Sequence, residues 1–295
     1  MNTLPESQLA LEVTTISGQV AAVVHPQASV SPGAVMESDC TIGPQCVVSS
    51  GAHLGAGTIL GANVFVGPNA TLEAALASAS GVRADSGVRI GANATVCSGV
   101  TLAYGSQVRP GAVVTRSVPP CAIVEGNPAI IVGYIDTESG ASSAPTLPGR
   151  RGASVEQTPV HGVTVHHFPV YPDLRGSLTV GEFDRQVPFL PRRYFMVFGV
   201  PSREVRGEHA HRECHQFLIC VRGSCSVVAD DGIKRVEVLL DDPSKGIYLP
   251  PMIWGVQYKY SADAVLMVFA SHYYEAADYI REYGEFQAIA AKAPQ

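Results

Sequence analysis

The run Val24-His-Pro-Gln-Ala-Ser-Val30-Ser-Pro-Gly-Ala-Val-Met36-Glu-Ser-Asp-Cys-Thr-Ile42-Gly-Pro-Gln-Cys-Val-Val48-Ser-Ser-Gly-Ala-His-Leu54 decides the fold of the first half of this chain. An apolar residue returns at every sixth position, and the beat continues through Leu60, Val66 and Leu72, then through Ile90, Val96, Leu102, Val108 and Val114. Four residues after each stands a small or modest side chain, as at Ala28, Ala34, Cys40, Cys46 and Ala52. Glycine often follows the apolar residue, as at Gly43, Gly55, Gly61, Gly67 and Gly91. A period of six matches neither an amphipathic helix nor a heptad. It matches a strand-and-corner unit, three of which close one triangular coil with the large and the small residue both turned inward. Residues 24–133 are therefore expected to form a parallel β-helix.

The composition leaves room for a second domain. A chain of 295 residues, 46% hydrophobic and 16% charged, fills one large core or two ordinary ones. Its net charge of −6 disfavours a nucleic-acid backbone or an anionic membrane as partner. The opening Met-Asn-Thr-Leu-Pro-Glu lacks a basic region followed by an apolar run, and no long apolar stretch follows, so the protein reads as soluble and cytoplasmic. Seven cysteines are an odd number without zinc-like spacing, which argues against a disulfide framework; Cys40 and Cys46 read as small inward filler.

The beat ends near Ile135. Residues 136–158 are rich in Ser, Gly, Ala and Pro and read as a flexible linker. Beyond them, short β-rich runs alternate with turns, Arg222-Gly223 and Asp230-Asp-Gly232 being hairpin signals, so 159–295 is expected to be a sandwich or jelly roll with helical character only in its tail. One interruption, Glu73 to Arg89, breaks the repeat. Leu72 and Ile90 are eighteen residues apart, so the phase survives, but the inward slots 78 and 84 hold Ser and Ala. Either a degenerate coil or an extruded loop stands there.

The most chemically informative stretch is Arg206-Gly-Glu-His-Ala-His-Arg-Glu-Cys-His-Gln-Phe217. On a strand His209 and His211 project to one face, so two imidazoles converge on one pocket. A cupin metal site opens with the same spacing, and it then requires a carboxylate after the second histidine. Gly223 falls where that motif closes, which fixes the register and puts Gln216 in the carboxylate slot; the returning segment Gly246 to Gln257 contains no histidine. Two ligands without a third and fourth suit a transition metal poorly. A metal-free acid/base pair is the leading reading, with a metal site and a structural pair as alternatives.

Two resemblances follow from these residues. The hexads, with the exit Gly111-Ala-Val-Val-Thr-Arg-Ser-Val-Pro-Pro-Cys-Ala-Ile-Val-Glu-Gly-Asn-Pro-Ala129, resemble the hexapeptide-repeat acyltransferases, whose β-helix is left-handed. From about Phe168 to Phe286 the chain resembles the metal-free cupins that isomerise nucleotide-linked keto sugars, the dTDP-4-keto-6-deoxyglucose 3,4-ketoisomerases. The matching stretches are Arg-Gly-x-His-Ala-His, Gln216 to Val228, Tyr248-Leu-Pro-Pro-Met-Ile-Trp-Gly255 and Phe269 to Arg281. The fusion order is similar to that of the bifunctional enzymes of 3-acetamido-3,6-dideoxyhexose synthesis, which serve surface polysaccharides such as lipopolysaccharide.

The resemblance implies an all-β chain, a left-handed parallel β-helix over 1–135 followed by a cupin jelly-roll barrel over 159–295 with a C-terminal helix. For the isomerase it implies that His211 exchanges the carbon-bound proton, that His209 serves the oxygens, and that Tyr194 is an acid, standing with Phe195 where the family has a tyrosine pair. Arg175 and Arg206 would hold the pyrophosphate, Trp254 would wall the pocket, and no metal would be needed. For the β-helix it implies acetyl-CoA bound in a groove between neighbouring β-helices of a trimer, with His53 as base and Asn69 and Glu73 near the amino sugar. The loop Glu73 to Gly81 lacks the Asn-Asp pair and the Pro-Arg-Ser of that family. The partners are then dTDP-linked keto and amino deoxysugars, and a trimeric β-helix joined to a dimeric cupin predicts a hexamer. The alternative is a monofunctional ketoisomerase that keeps its β-helix as a trimerising scaffold.

Overall fold

The computed structural model describes residues 11–13, 22–75, 80–139, 152–201 and 204–292. The chain divides into two compact units, Met1–Ile135 and Asp136–Gln295.

The first unit is a β-solenoid with three parallel faces. One stacks Ala22–Val24, Thr41–Ile42, Ile59–Leu60, Arg83–Ala84 and Thr101–Leu102; the second Val35–Met36, His53–Leu54, Thr71–Leu72, Thr95–Val96 and Val113–Val114. The third runs from Ser29–Val30 to Gln107–Val108 and closes on the longer hairpin Ala122–Gly126 and Ala129–Tyr134. The hexad explains the coil directly. Val48, Leu54, Val66 and Leu72 have no exposed surface, and the small slots Cys40, Cys46, Ala52 and Ala70 lie at 0–1%. Each buried Val or Leu contributes about 1.5–3 kcal/mol, so stability is distributed along the stack.

Corners impose a second six-residue series. Gly33, Asp39, Gln45, Gly51, Gly57, Asn63 and Asn69 all have left-handed backbone, with φ between 55° and 88°. Glycine and the short amides tolerate that conformation. Asn69 therefore occupies a corner position of the coil. Gly43 serves a different need, because a Cβ there would lie 2.4 Å from the Gly61 carbonyl oxygen of the next coil.

The pairing resolves the interruption. Below it Thr41 pairs with Ile59, eighteen positions on. Across it Ile59 pairs with Arg83 and Thr71 with Thr95, each twenty-four on, and above it Arg83 pairs with Thr101 at eighteen again. Six residues are thus extruded, and Ala84, 1% exposed, takes the inward slot between Leu60 and Leu102. An insertion of one whole period leaves every later side chain in phase. Residues 76–79 of this loop lie outside the described residues.

The second unit is a jelly roll of two six-stranded sheets. One orders Thr137–Ser139, Arg235–Leu240, Cys225–Asp230, Trp254–Tyr258, Arg206–His211 and Tyr279–Ile280; the other Ser154–Gln157, Thr164–His167, Lys245–Leu249, Gln216–Arg222, Val265–Ala270 and Arg193–Phe198. Val165, Leu218, Val227, Val238, Ile247 and Leu266 are among the buried side chains of the core. The helix Tyr283–Ala290 buries Tyr283 and Phe286. Two of these strands fall inside 136–158, the segment expected to be a linker. Both are edge strands, at the ends of their sheets, so polar side chains suffice there. The hairpin of Val170–Asp173 and Gly176–Thr179 forms a two-stranded sheet of its own.

Candidate active site

The strand Arg206–His211 is bent by a bulge. Its register with Trp254–Tyr258 pairs Arg206 with Gln257, Gly207 with Val256 and His209 with Gly255, leaving Glu208 over. Gly207 and Glu208 both have left-handed backbone, φ 85° and 54°. Only glycine fits at 207, where a Cβ would lie 2.5 Å from the Gly255 carbonyl oxygen. The extra residue lets Arg206 and His209, three positions apart, share the face of Gly255 and Gln257. These glycine and glutamine residues line, with His209, His211, Cys214 and Gln216, a small cleft partly open to solvent.

Each imidazole is held differently. His209 Nδ1 lies 2.9 Å from the Gly207 carbonyl oxygen, which only accepts, so Nδ1 carries a proton and Nε2 a lone pair. His211 Nδ1 donates to Asp278 Oδ2 at 2.7 Å, and its Nε2 lies 3.0 Å from the amide nitrogen of Gln216. Asp278 also accepts the Glu213 backbone N–H on Oδ1 at 2.7 Å. It ends the short 3-10 turn Ala276–Asp278, after which Tyr279–Ile280 pairs with His211 and Ala210. The Tyr279 ring stands 4.9 Å from the His209 ring and 4.3 Å from that of His211, centroid to centroid. Arg281 covers the Tyr279 ring at 4.3 Å, and Arg193 donates to its hydroxyl at 3.2 Å.

Burial sets the protonation states. It lowers His209, and it lowers His211 to about 4 although Asp278 pulls the other way. Burial raises the Asp278 carboxyl, but the Glu213 amide and His211 outweigh it and hold it below its ordinary range. Near neutral pH the cleft therefore presents two neutral imidazoles and one ionised carboxylate. His211, Cys214 and Asp278 bring three donor atoms within 4.8 Å of one another. Both ring nitrogens of His211 and both oxygens of Asp278 already carry hydrogen bonds, so this set fits an oriented dyad better than a coordination sphere.

Several residues singled out in the sequence lie elsewhere. Tyr194 is 63% exposed, on the outward side of the edge strand Arg193–Phe198, while its neighbour Phe195 packs against the core. The expected acid thus points away from the cleft, because strand alternation gives the inward position to Phe195. Trp254 is on the opposite side of its strand from Gly255 and packs against Tyr283, with ring centroids 5.1 Å apart, and Phe286; it anchors the helix and is not among the residues that line this cleft. Arg175 stands at the tip of the detached hairpin, paired with Asp173 at 2.6 Å. Arg206 lies on the cleft side by register. Asp278, Tyr279 and Arg281 have no role assigned from the sequence, although all three fall within the matching stretch Phe269 to Arg281.

In the solenoid, His53 Nε2 lies 3.1 Å from Glu37 Oε1, and Glu37 Oε2 accepts the Ala56 N–H at 2.9 Å. Glu73 accepts the Ser98 N–H of the next coil at 3.1 Å, so it caps a corner.

Comparison with known proteins bears on both units. Residues 161–291 match the family described as WxcM-like, C-terminal. Over 128 residues the chain is 41% identical to the TDP-4-oxo-6-deoxy-alpha-D-glucose-3,4-oxoisomerase of Aneurinibacillus thermoaerophilus, covering 92% of that relative and 43% of this chain. The chain belongs to the sugar 3,4-oxoisomerase family. Among solved structures, the 3,4-ketoisomerase of Helicobacter canadensis is 32% identical, with 44% of this chain and 98% of that chain covered and a TM-score of 0.43. The 3,4-ketoisomerase QdtA of Thermoanaerobacterium thermosaccharolyticum, in complex with TDP, is 33% identical, with 45% and 97% covered and a TM-score of 0.44. These oxoisomerase matches concern the second unit. In the first, residues 39–74 match the bacterial transferase hexapeptide of six repeats, and 78–116 the hexapeptide repeat of succinyl-transferase.

Proposed function

We propose that the second unit interconverts the 4-keto and 3-keto forms of TDP-linked 6-deoxyglucose, and that the solenoid acetylates the 3-amino sugar made from the product by a separate aminotransferase. The observation that carries the first part is the Asp278–His211 pair beside His209 in one cleft. A ketone at C4 acidifies the C3 hydrogen. His211 Nε2 removes it, and Asp278 both fixes that tautomer and stabilises the imidazolium. The resulting enediolate passes its hydroxyl proton from O3 to O4 through His209, and the proton on His211 returns at C4, leaving the ketone at C3. No step runs through a metal. Arg206 is the cleft-side choice for the pyrophosphate, and Arg175 remains a second one on the hairpin.

For the solenoid, the hexapeptide matches support an acyltransferase. Acetyl-CoA would lie between neighbouring β-helices, with His53 as base and Glu37 behind it. Outward aliphatics support packing of solenoid faces, Val35 being 53% and Ile59 43% exposed. Met196 and Phe198, 46% and 69% exposed beside Tyr194, support pairing of the jelly rolls, which together give a hexamer. One observation favours the scaffold reading: Asn69 and Glu73, expected near the amino sugar, are both engaged in the architecture of the coil. No described helix is long and apolar enough to cross a membrane; nucleotide-linked substrates and acetyl-CoA support a cytoplasmic setting. The deciding experiment incubates the purified protein with dTDP-4-keto-6-deoxyglucose, a 3-aminotransferase and acetyl-CoA and identifies each product. An unchanged keto sugar refutes the isomerase, and a 3-amino sugar left free with acetyl-CoA intact refutes the acetyltransferase.

A further inference from the structure

Gln216 opens the strand Gln216–Arg222, in the sheet opposite the histidines, and is paired on both sides, with Leu249 and with Ala270. Its backbone is therefore fixed by two neighbours, while its side chain reaches across the sandwich into the cleft and is 7% exposed. The amide nitrogen lies 3.0 Å from His211 Nε2. Because Asp278 accepts the proton on Nδ1, Nε2 is the lone-pair nitrogen and the amide donates to it. This is the nitrogen that removes the carbon-bound proton in the ketoisomerase reading. In the free protein the base is capped.

A substrate C–H bond approaching Nε2 must displace that cap. An amide N–H left without an acceptor in so buried a place is costly, so the displaced donor seeks a new one. When the reacting carbon is about 3–3.5 Å from the base, the carbonyl oxygen on the adjacent carbon comes within reach of the displaced N–H. It is also the oxygen on which charge builds. A fixed donor aimed at developing charge is worth more than one aimed at a neutral carbonyl.

We propose that Gln216 is a catalytic residue of the isomerase, its N–H passing from His211 Nε2 to the substrate oxygen at C4 and stabilising the enediolate. The assignment rests on the ketoisomerase reading. As the C3–H bond breaks, its electron pair becomes the C3–C4 double bond, the carbonyl pair moves onto O4, and the proton goes to His211. The amide keeps its own protons throughout. A glutamine is the right group at this position because it offers N–H donors and no charge, whereas a carboxylate would repel the enediolate.

The test compares wild type with Gln216→Met, which keeps the length of the side chain and removes its donors, and Gln216→Glu, which keeps its polarity and adds a negative charge. For each, kcat, KM for dTDP-4-keto-6-deoxyglucose, dTDP binding and solvent-deuterium exchange at C3 are measured. The expected result is a fall in kcat and exchange of about 100-fold for Gln216→Met, and a larger fall for Gln216→Glu. KM and dTDP binding should move by less than about 3-fold. Binding of dTDP reports that each variant is folded. If either folded variant keeps kcat within about 2-fold of wild type, and differs only in melting temperature, the side chain is structural and the assignment fails. If wild type itself binds dTDP but exchanges no deuterium, the ketoisomerase reading fails first.

Discussion

Replacing Asp278 with Asn tests the dyad most sharply, because the hydrogen bonds around it dictate what the amide must do. Oδ1 of Asp278 accepts the Glu213 N–H, so the oxygen of the new amide would keep that place and its NH2 would face His211 Nδ1. An amide donor there demands an acceptor, which moves the imidazole proton to Nε2. Gln216 answers by presenting its oxygen instead of its nitrogen. Every group is then satisfied, the protein folds, and the lone pair points away from the substrate. The lost charge matters as well. With charge centres about 4 Å apart and an effective dielectric of about 20, the carboxylate stabilises an imidazolium by about 4 kcal/mol, an upper bound of about 1000-fold in rate. The expected outcome is a fall in kcat of about 100- to 1000-fold, with dTDP binding intact. Steady-state kinetics and calorimetric binding measure the two. A kcat within about 5-fold of wild type would refute the dyad.

Three further expectations concern stability and the solenoid. His211 sits at about 4 in the folded protein and His209 is lowered too, so between that value and the ordinary histidine pKa of about 6.5 the unfolded chain binds more protons. Stability is then full above the upper value and is lost as pH falls toward the lower one, by on the order of 3 kcal/mol for His211; denaturant melts from pH 7 to 4.5 should show a shallower decline in His211→Asn, and an equal decline contradicts the linkage. Deleting six residues between Glu73 and Val82 should leave the melting temperature of the solenoid nearly unchanged, because the coil extrudes them, whereas deleting three within a coil, Asn63 to Phe65, should abolish folding, since a half period there sends inward side chains to the corners; equal effects would contradict the stacking argument. His53→Asn should lower thiol release from acetyl-CoA with dTDP-3-amino-3,6-dideoxygalactose at least about 100-fold, and unaltered release removes His53 from the chemistry.

What the sequence discloses tracks how local each determinant is. The coil is legible because its rule is written every six residues, and Cys40 and Cys46 stand buried where that rule places small side chains. The interruption is ambiguous because a degenerate coil and a six-residue loop produce the same string; only the pairing of Ile59 with Arg83 separates them. His209 and His211 share a strand, and their common cleft follows from alternation, as does the slot of Gln216 from the closing Gly223. Asp278 lies 67 positions from His211, and no local pattern connects the two. Tyr194 and Trp254 are misplaced for one reason: alternation says which residues share a face, but not which face meets the cleft. The edge strands of the supposed linker are hidden because a strand paired on one side needs little hydrophobic signature.

The bulge at Gly207 has a consequence that separates the two imidazoles. Its carbonyl, turned out of the regular ladder, is the acceptor that fixes the proton of His209, and a peptide oxygen does not titrate in the range where proteins stay folded. The corresponding acceptor for His211 is a carboxylate, which carries a full charge while ionised. One ring is thus oriented by a neutral group, and the other by a group whose charge also favours the protonated imidazole. The ring that removes the carbon-bound proton has a counter-ion behind it, while the ring that serves the oxygens leans on a neutral peptide.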